Sequence, residues 1–449
     1  MKRLIPFCFV FFVGAASAQG WRQTFDGLLN PAAICATPDG GAVLLANTVP
    51  GGPVGRQIVL TKTDLDGRVQ WQKSFGAAGD DEGRSLTLTR EGHIALAGKW
   101  SFLPNNGDAL LALFDFSGQS IWQRSYNFGI LDDAKCVRQT PDGGFIMAVE
   151  TDNQLRLLQT NVNGDEIWAK NYPQTAGLSV KHLEVRPDSG LTVTLLRNSL
   201  PIDVPAAVVM QLSPLGEVQF ETTIPHFSNY VTTDQARCKP AGGDRYWLMH
   251  RDSVYLLNAD TSVLARLRIP VSNDFYLTDL LPAADGGFYT LGTRYSFGAP
   301  TFSQLYFARF GADGAPIWTR LYDAPSMLHS TWAAATVPDG GFLLSGNYAK
   351  NSQYFSFLLR TDSLGQAFTN RITGRVFWDE NEDCSANPAE RNLHGWLLRI
   401  TRPNGDLHYA TTDREGQYVV EAGEGEHIVS VLLPNSLWGA VCVQDAPVI

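Results

Sequence analysis

The stretch best equipped for chemistry lies near the C-terminus, where Asp379, Asn381, Asp383 and Glu390 stand at positions 1, 3, 5 and 12 of a twelve-residue loop. Alternating oxygen ligands closed by a carboxylate that can bind through both oxygens give the spacing of a calcium loop. Cys384 occupies position 6, where such loops place glycine for a sharp turn, and no helical periodicity flanks the segment, so an EF-hand fold is not implied. The expected bound species is calcium. The competing account is an acidic surface loop tied down by a disulfide between Cys384 and Cys442, which share the C-terminal segment. Elsewhere the residues of catalysis are dispersed. The eight histidines occur singly, there is no Gly-x-Ser-x-Gly elbow, His-Glu-x-x-His or phosphate loop, and no Cys/His cluster has zinc spacing. Acidic residues do recur just before strands, at Asp80-Asp81-Glu82, Asp132-Asp133, Asp234 and Asp279. They are either solvated turn residues, or a set (Asp81, Asp133, Asp234, Asp279) that gathers at the mouth of a channel to hold a cation or polar ligand.

The elements that must position these groups are repeats of about fifty residues. A turn followed by an apolar strand begins at Pro38, Arg90, Pro141, Pro187, Pro240, Ala284 and Pro338, most fully as Pro338-Asp339-Gly340-Gly341-Phe342-Leu343-Leu344. Proline presets the first turn corner, aspartate caps the turn through its side chain, and glycine accepts positive φ. A second motif interleaves with it, as Asp66-Gly67-Arg68-Val69-Gln70-Trp71, Ser117-Gly118-Gln119-Ser120-Ile121-Trp122 and Asn163-Gly164-Asp165-Glu166-Ile167-Trp168, with weaker copies at Leu215, Val263, Asp313 and Leu364. Two hairpins per unit make four strands, the signature of a β-propeller. Gly20-Trp21-Arg22-Gln23-Thr24-Phe25 is a lone copy of the second motif's last strand. It is expected to dock on the final unit and close a seven-bladed ring, which removes the exposed sheet edges. The repeated tryptophan is expected to pack between blades; the alternative is an aromatic ligand platform.

Composition bounds the function. Of 449 residues, 44% are hydrophobic and 18% charged, and 42 Gly plus 24 Pro suit many tight turns. A formal charge of -10 argues against nucleic acid or an anionic membrane as the main partner. Lys2 and Arg3, the apolar run Leu4 to Val13 and Ala16-Ser17-Ala18 read as a signal peptide over residues 1–18, with the mature chain starting at Gln19 and secreted or held at the cell surface. That run is too short to span a bilayer and no later stretch is long enough, so no membrane span is expected after cleavage. Export permits disulfides, yet Cys35, Cys136 and Cys238 lie in separate repeats and are expected to be buried free thiols.

The Asp-Gly-Gly turn and Gly-x-x-x-Trp strand resemble the propeller repeats of large secreted proteins of Bacteroidetes-type bacteria. They are also similar to pyrroloquinoline-quinone-type propellers, Ala312-Asp313-Gly314-Ala315-Pro316-Ile317-Trp318 being the nearest local match. Those quinoprotein enzymes use a vicinal cysteine pair, and this chain has no adjacent cysteines, so only the structural half of the likeness carries over. The sialidase Asp-box spacing is not matched. After a junction at Thr369-Asn370-Arg371 the pattern changes. Gly374-Arg375-Val376-Phe377-Trp378-Asp379, Leu393-His394-Gly395-Trp396 and Thr412-Asp413-Arg414-Glu415-Gly416-Gln417-Tyr418 resemble the B-type, prealbumin-like modules of bacterial surface adhesins. In that family such acidic loops bind calcium and stiffen the module. Secreted relatives usually end in a further β-domain for type IX export or surface attachment; ending at Ile449, the chain is expected either to be freely secreted or to be truncated.

The expected fold is therefore all-β: a seven-bladed β-propeller over residues 19–371, closed by residues 20–25, then a small Ig-like or prealbumin-like β-sandwich over residues 372–449. Three functions fit. The first is a non-catalytic, monomeric binding or adhesion scaffold, the propeller serving as platform for an extracellular protein or glycan and the C-terminal domain as a calcium-stiffened stalk. The second is a propeller enzyme of quinoprotein-like or glycan-cleaving type, which needs convergent carboxylates or a cation site in the channel. The third is a purely structural surface module.

Overall fold

The computed structural model describes residues 20–48, 55–101, 106–197, 206–225, 235–269, 275–296, 302–322, 328–350, 353–367, 370–380, 390–401, 405, 407–422, 426–433 and 445–448. The proposed signal peptide, Asp234, Asn381, Asp383, Cys384 and Cys442 lie outside the described residues.

The described chain is all-β apart from a 3-10 turn at Pro173–Thr175. Seven four-stranded antiparallel sheets follow one another, as the blades of a β-propeller. Blade 1 runs Leu28–Ala36, Ala42–Thr48, Ile58–Thr63 and Val69–Phe75 from inside to outside. The inner strands of blades 2 to 7 are Glu82–Leu88, Asp132–Gln139, Leu178–Val185, Ala236–Gly242, Phe275–Pro282 and Leu328–Thr336. Each inner strand touches those of its two neighbours, and Leu328–Thr336 returns to Leu28–Ala36, so the ring is closed.

Closure joins the first strand of the ring to its last hairpin. Trp21–Asp26 forms the outer strand of blade 7, antiparallel to Gln353–Thr361 in a register running from Trp21 against Arg360 to Asp26 against Phe355. Ser356 Oγ then donates to the Leu28 carbonyl at 3.0 Å, tying blade 7 to blade 1. Each sheet lies between two others, so its middle strands are apolar on both faces, as in Ala42–Thr48 and Ile58–Thr63. The cores sit between blades: Val43, Leu45, Ile58 and Leu60 of blade 1 pack on Leu86, Ile94, Leu96 and Leu110 of blade 2.

The repeated turn behaves as its residues dictate. In blade 1, Gly40 takes φ +80°, its N–H bonds the Thr37 carbonyl at 2.9 Å, and Asp39 Oδ1 accepts the Gly41 N–H at 3.2 Å. Asp39 also holds a cation that the repeat motif does not show. Lys62, fully buried on the third strand, donates to Asp39 Oδ2 at 2.8 Å. Arg309 and Arg360 hold Asp285 and Asp339 in the same way in blades 6 and 7. Blade 5 departs from the expected turn at Pro240-Ala241-Gly242-Gly243. Pro240 lies within the inner strand, Gly242 still pairs with Arg245, and the chain reverses at Gly243 and Asp244, with Gly242 and Gly243 at positive φ.

The repeated tryptophan packs between blades. Trp21 sits against Gly67, Trp71 against Gly118, Trp122 against Gly164, Trp168 against Gly216 and Trp318 against Gly365, each glycine belonging to the next blade. A Cβ on Gly67, whose φ is +80°, would lie 2.5 Å from the Trp21 ring. Two of the indoles also donate to that neighbour, Trp21 Nε1 to the Leu65 carbonyl at 2.7 Å and Trp71 Nε1 to Phe116 at 3.1 Å. In blade 5 the glycine is replaced by Thr261, which carries φ +64° and shares a hydrogen bond of 2.5 Å with Thr222.

In the C-terminal segment, Asn370–Arg375 pairs with Gln417–Ala422, and Leu397–Thr401 pairs with both Leu407–Thr411 and His427–Val431. Asp445–Val448 adds to the latter sheet. Ile372, Tyr418 and Val420 of the first sheet share one core with Leu398, Ile400, Val429 and Val431 of the second. Asp413-Arg414-Glu415-Gly416 makes a tight turn, with Asp413 Oδ1 accepting the N–H groups of Glu415 and Gln417 at 3.0 and 2.8 Å. It does not close a hairpin, because the strands on its two sides go to different sheets.

Candidate functional site

The inner strands carry a feature that sets the wall of the ring. A β-bulge interrupts the pairing of the inner strand with its neighbour at Arg84, Lys135, Lys181, Thr278 and Trp332 in blades 2, 3, 4, 6 and 7. An extra unpaired residue re-aims its side chain out of the ladder. Blade 1 has a wider irregularity over residues 30–32, and blade 5 keeps regular pairing with Arg237 at the corresponding place. Going round the ring, this position reads Ala32, Arg84, Lys135, Lys181, Arg237, Thr278, Trp332. Arg138, Glu184 and Lys239 lie further along the inner strands of blades 3, 4 and 5. One arc of the wall is therefore charged, and the arc of blades 6, 7 and 1 is mainly apolar.

The charges are laced together across blades. Arg84 Nε lies 3.1 Å from both oxygens of Asp133, and Lys135 reaches the same carboxylate at 2.5 Å. Burial would raise the pKa of Asp133, but Arg84 and Lys135 outweigh it and hold the group below the ordinary aspartate range. Glu184 accepts Arg138 Nε at 3.5 Å and Lys239 Nζ at 3.2 Å, and these two cations likewise overcome its burial. Arg138 Nη2 lies 3.2 Å from His182 Nε2. Burial first, then the charges of Lys239, Arg138 and Arg237, keep His182 well below the usual histidine range, so its ring is neutral at physiological pH. The guanidinium therefore donates, and Nε2 accepts.

The residue after the bulge faces the neighbouring blade and fastens the ring. Ser85 Oγ accepts the Val137 N–H at 3.2 Å, and Asp279 Oδ2 accepts the Ala334 N–H at 2.8 Å. Cys136, His182 and Cys238 hold this position in blades 3, 4 and 5. Cys136 and Cys238 are buried free thiols and Cys35 is a half-buried one. Burial raises all three, Cys35 and Cys238 to about 12, which leaves them protonated and poorly nucleophilic.

The acidic residues singled out from the sequence have separate tasks. Asp81 is fully buried; Oδ2 accepts the Ala77 N–H at 2.5 Å and Oδ1 that of Ser101 at 2.7 Å. Asp132 ties Phe128 and Gly129 in the same manner in blade 3. Asp133 belongs to the charged wall, and Asp279 to the fastening between blades 6 and 7, with Arg237 3.7 Å away. They are buried rather than solvated, and Asp81, Asp133 and Asp279 stand on three different blades. In the C-terminal segment Asp379 and Glu390 are both buried. They flank the short pairing of Phe377–Trp378 with Arg391–Asn392, whose register puts Trp378 against Arg391, so each stands at one end of the loop that this pairing closes. Among the described residues no group of three or more His, Cys, Asp or Glu is placed to hold a metal. No helix among them is long and apolar enough to cross a membrane.

No family model matches the sequence, and no curated protein matches it. Solved structures with a similar course of the chain are β-propellers. PorZ of Porphyromonas gingivalis, an essential bacterial surface component of the type-IX secretion system, is similar at TM-score 0.47 and 12% identity over 93% of this chain. This chain spans 58% of the length of that protein. The β-propeller domain of the Trilobed protease from Pyrococcus furiosus is similar at TM-score 0.41 and 10% identity, over 82% of this chain and 95% of that one. The WD40 domain of Neurospora crassa Pan2 is similar at TM-score 0.41 and 9% identity, over 76% and 90%.

Proposed function

We propose that this chain is a secreted or cell-surface binding scaffold without catalytic activity, whose ring offers its inner wall to an extracellular protein or glycan. The observation that carries this reading is the wall itself. Partly exposed cations on blades 2, 3 and 5 are pre-set by ion pairs to Asp133 and Glu184, which fixes their positions before a ligand arrives. The same pairs make these carboxylates poor general acids or bases, since a carboxylate held below its ordinary range neither keeps nor takes a proton readily near neutral pH. Residues 372–449 form a B-type β-sandwich that serves as the stalk. Its Asp379–Glu390 loop binds calcium, with Asp379, Asn381, Asp383 and Glu390 as ligands. The support is that Asp379 and Glu390 are both buried, at the two ends of a loop whose stem is paired, where oxygen ligands could meet one ion.

The scaffold reading is tested by presenting the immobilised mature chain to a panel of extracellular glycans and matrix proteins. A ligand is expected whose binding is lost in the combined variant Lys135→Gln, Arg237→Gln, Lys239→Gln. It should be kept in a variant of exposed outer-strand residues such as Ile121→Ser. Capture that depends only on the outer strands would refute the wall as the binding face.

A further inference from the structure

Arg138, Arg237 and Lys239 converge on the wall from the inner strands of blades 3 and 5, on either side of blade 4, with side chains 21%, 20% and 19% exposed. Two of them share one carboxylate, that of Glu184. Lys239 has three N–H donors, of which Glu184 takes one. Arg237 Nη1 donates to the Lys181 carbonyl at 2.7 Å, and among the described residues its Nη2 has no partner. The nearest carboxylate to Arg237 is Asp279, at 3.7 Å, and that group already accepts the N–H of Ala334 and of Leu280. The arc thus keeps unused charge-assisted donors, in a chain whose formal charge is -10.

We propose that this arc of blades 3 to 5 is an oxyanion-binding site, taking a carboxylate, sulfate or phosphate group of a ligand that enters the ring. Lys239, Arg237 and Arg138 donate to it, and Glu184 is the internal anion that holds Arg138 and Lys239 in place and competes with the ligand for them. On the facing arc the corresponding residues Ala32, Leu281, Trp332 and Ala335 are uncharged, and Asp279 is occupied by the tie to blade 7, so the bound group is oriented toward blades 3 to 5. The assignment deepens the scaffold reading and rests on it for the claim that the wall meets a ligand at all.

The test is calorimetric titration of the mature chain at low ionic strength with inorganic phosphate, citrate and trigalacturonate, each variant first shown by thermal melting to be folded. Lys239→Gln and Arg237→Gln should each weaken binding about tenfold or more, the worth of a charged hydrogen bond. Lys239→Arg should retain it, and Lys170→Gln, on the outer strand of blade 3, should leave it unchanged. Glu184→Gln should strengthen binding, a response of opposite sign that a merely structural ion pair would not give. Tighter binding of trigalacturonate than of citrate assigns the oxyanion to an acidic glycan, and the reverse order to a small free anion. The proposal is overturned if none of the three probes binds, if Lys239→Gln and Lys170→Gln behave alike, or if Glu184→Gln weakens binding. A panel ligand indifferent to phosphate and to the Lys239 variant would sink this site and leave the scaffold reading standing; anion binding with no panel ligand would do the converse.

Discussion

Substituting Gly67 by alanine probes the closure of the ring at a single atom. Gly67 has φ +80° in the second hairpin turn of blade 1, and the ring of Trp21, from the N-terminal strand, lies where its Cβ would go, 2.5 Å away. Gly92 provides the control, with φ +85° and nothing within 4 Å of the added atom. Both close their turns from the fourth residue to the first, Gly67 N–H to the Asp64 carbonyl at 3.1 Å and Gly92 N–H to that of Thr89 at 3.0 Å. Left-handed backbone should cost either alanine about 1 kcal/mol. Only Gly67→Ala must also move the indole, which adds about 1–3 kcal/mol of overpacking and strains the Trp21–Leu65 hydrogen bond. The expected losses are therefore about 1 kcal/mol for Gly92→Ala and about 2–4 kcal/mol for Gly67→Ala. Urea unfolding monitored by tryptophan fluorescence gives both values. Combining Gly67→Ala with Trp21→Ala should recover the overpacking part, because the clashing ring is gone. Equal losses in the two single variants would refute the account of the N-terminal strand as the packed outer strand of blade 7.

Three further outcomes follow from the same structure. Asp279→Ala removes the acceptor of two N–H groups, those of Ala334 and Leu280, and should destabilise by about 2–4 kcal/mol in urea melts; a loss below about 0.5 kcal/mol would show that the tie between blades 6 and 7 does not form. Because the folded state depresses the proton affinity of His182, the unfolded chain binds the extra proton. Stability is then full above the unfolded value of 6.5 and falls as pH drops below it, by about 1.4 kcal/mol per pH unit until the folded value is reached. His182→Thr should flatten the urea midpoint between pH 7 and pH 5 relative to the parent, and an unchanged slope would place the histidine in water. Calcium added to the metal-free mature chain should release heat and raise the melting temperature, and Glu390→Gln should abolish both; no heat would remove the calcium loop from the account.

Much of the ring was legible because it is written repeatedly. The Asp-Gly-Gly turn demands positive φ at one residue in each unit, and the Gly-x-x-x-Trp strand brings its own partner, so blade number, strand number and the role of residues 20–25 could be counted. The wall was not legible, for a local reason. A bulge inserts one residue into the inner strand, so the two-residue alternation that separates inward from outward side chains fails at Arg84, Lys135 and Lys181. Anchoring each inner strand on its turn would have found them, since Arg84, Lys135, Lys181, Thr278 and Trp332 each lie six residues before the start of the turn motif. Arg237 escapes that rule because Pro240 is in the strand and the blade 5 turn comes three residues late. The acidic residues drew attention as a recurring set, yet recurrence reflected a repeated structural need. Asp81 and Asp132 tie N–H groups of the connections beside them, which no spacing rule separates from a ligand site. In the C-terminal segment a small β-domain was legible but its strand pairing was not, because a tight turn joins two sheets as readily as two strands of one sheet.

The central claim is that ligands meet this protein on the inner wall of blades 3 to 5. Hydrogen–deuterium exchange of the mature chain, with and without the ligand recovered from the panel, tests it most directly. The account predicts slowed exchange in residues 132–139, 178–185 and 236–242, with the outer strands unchanged. Protection confined to the outer strands, or to the segment after Asn370, would contradict it.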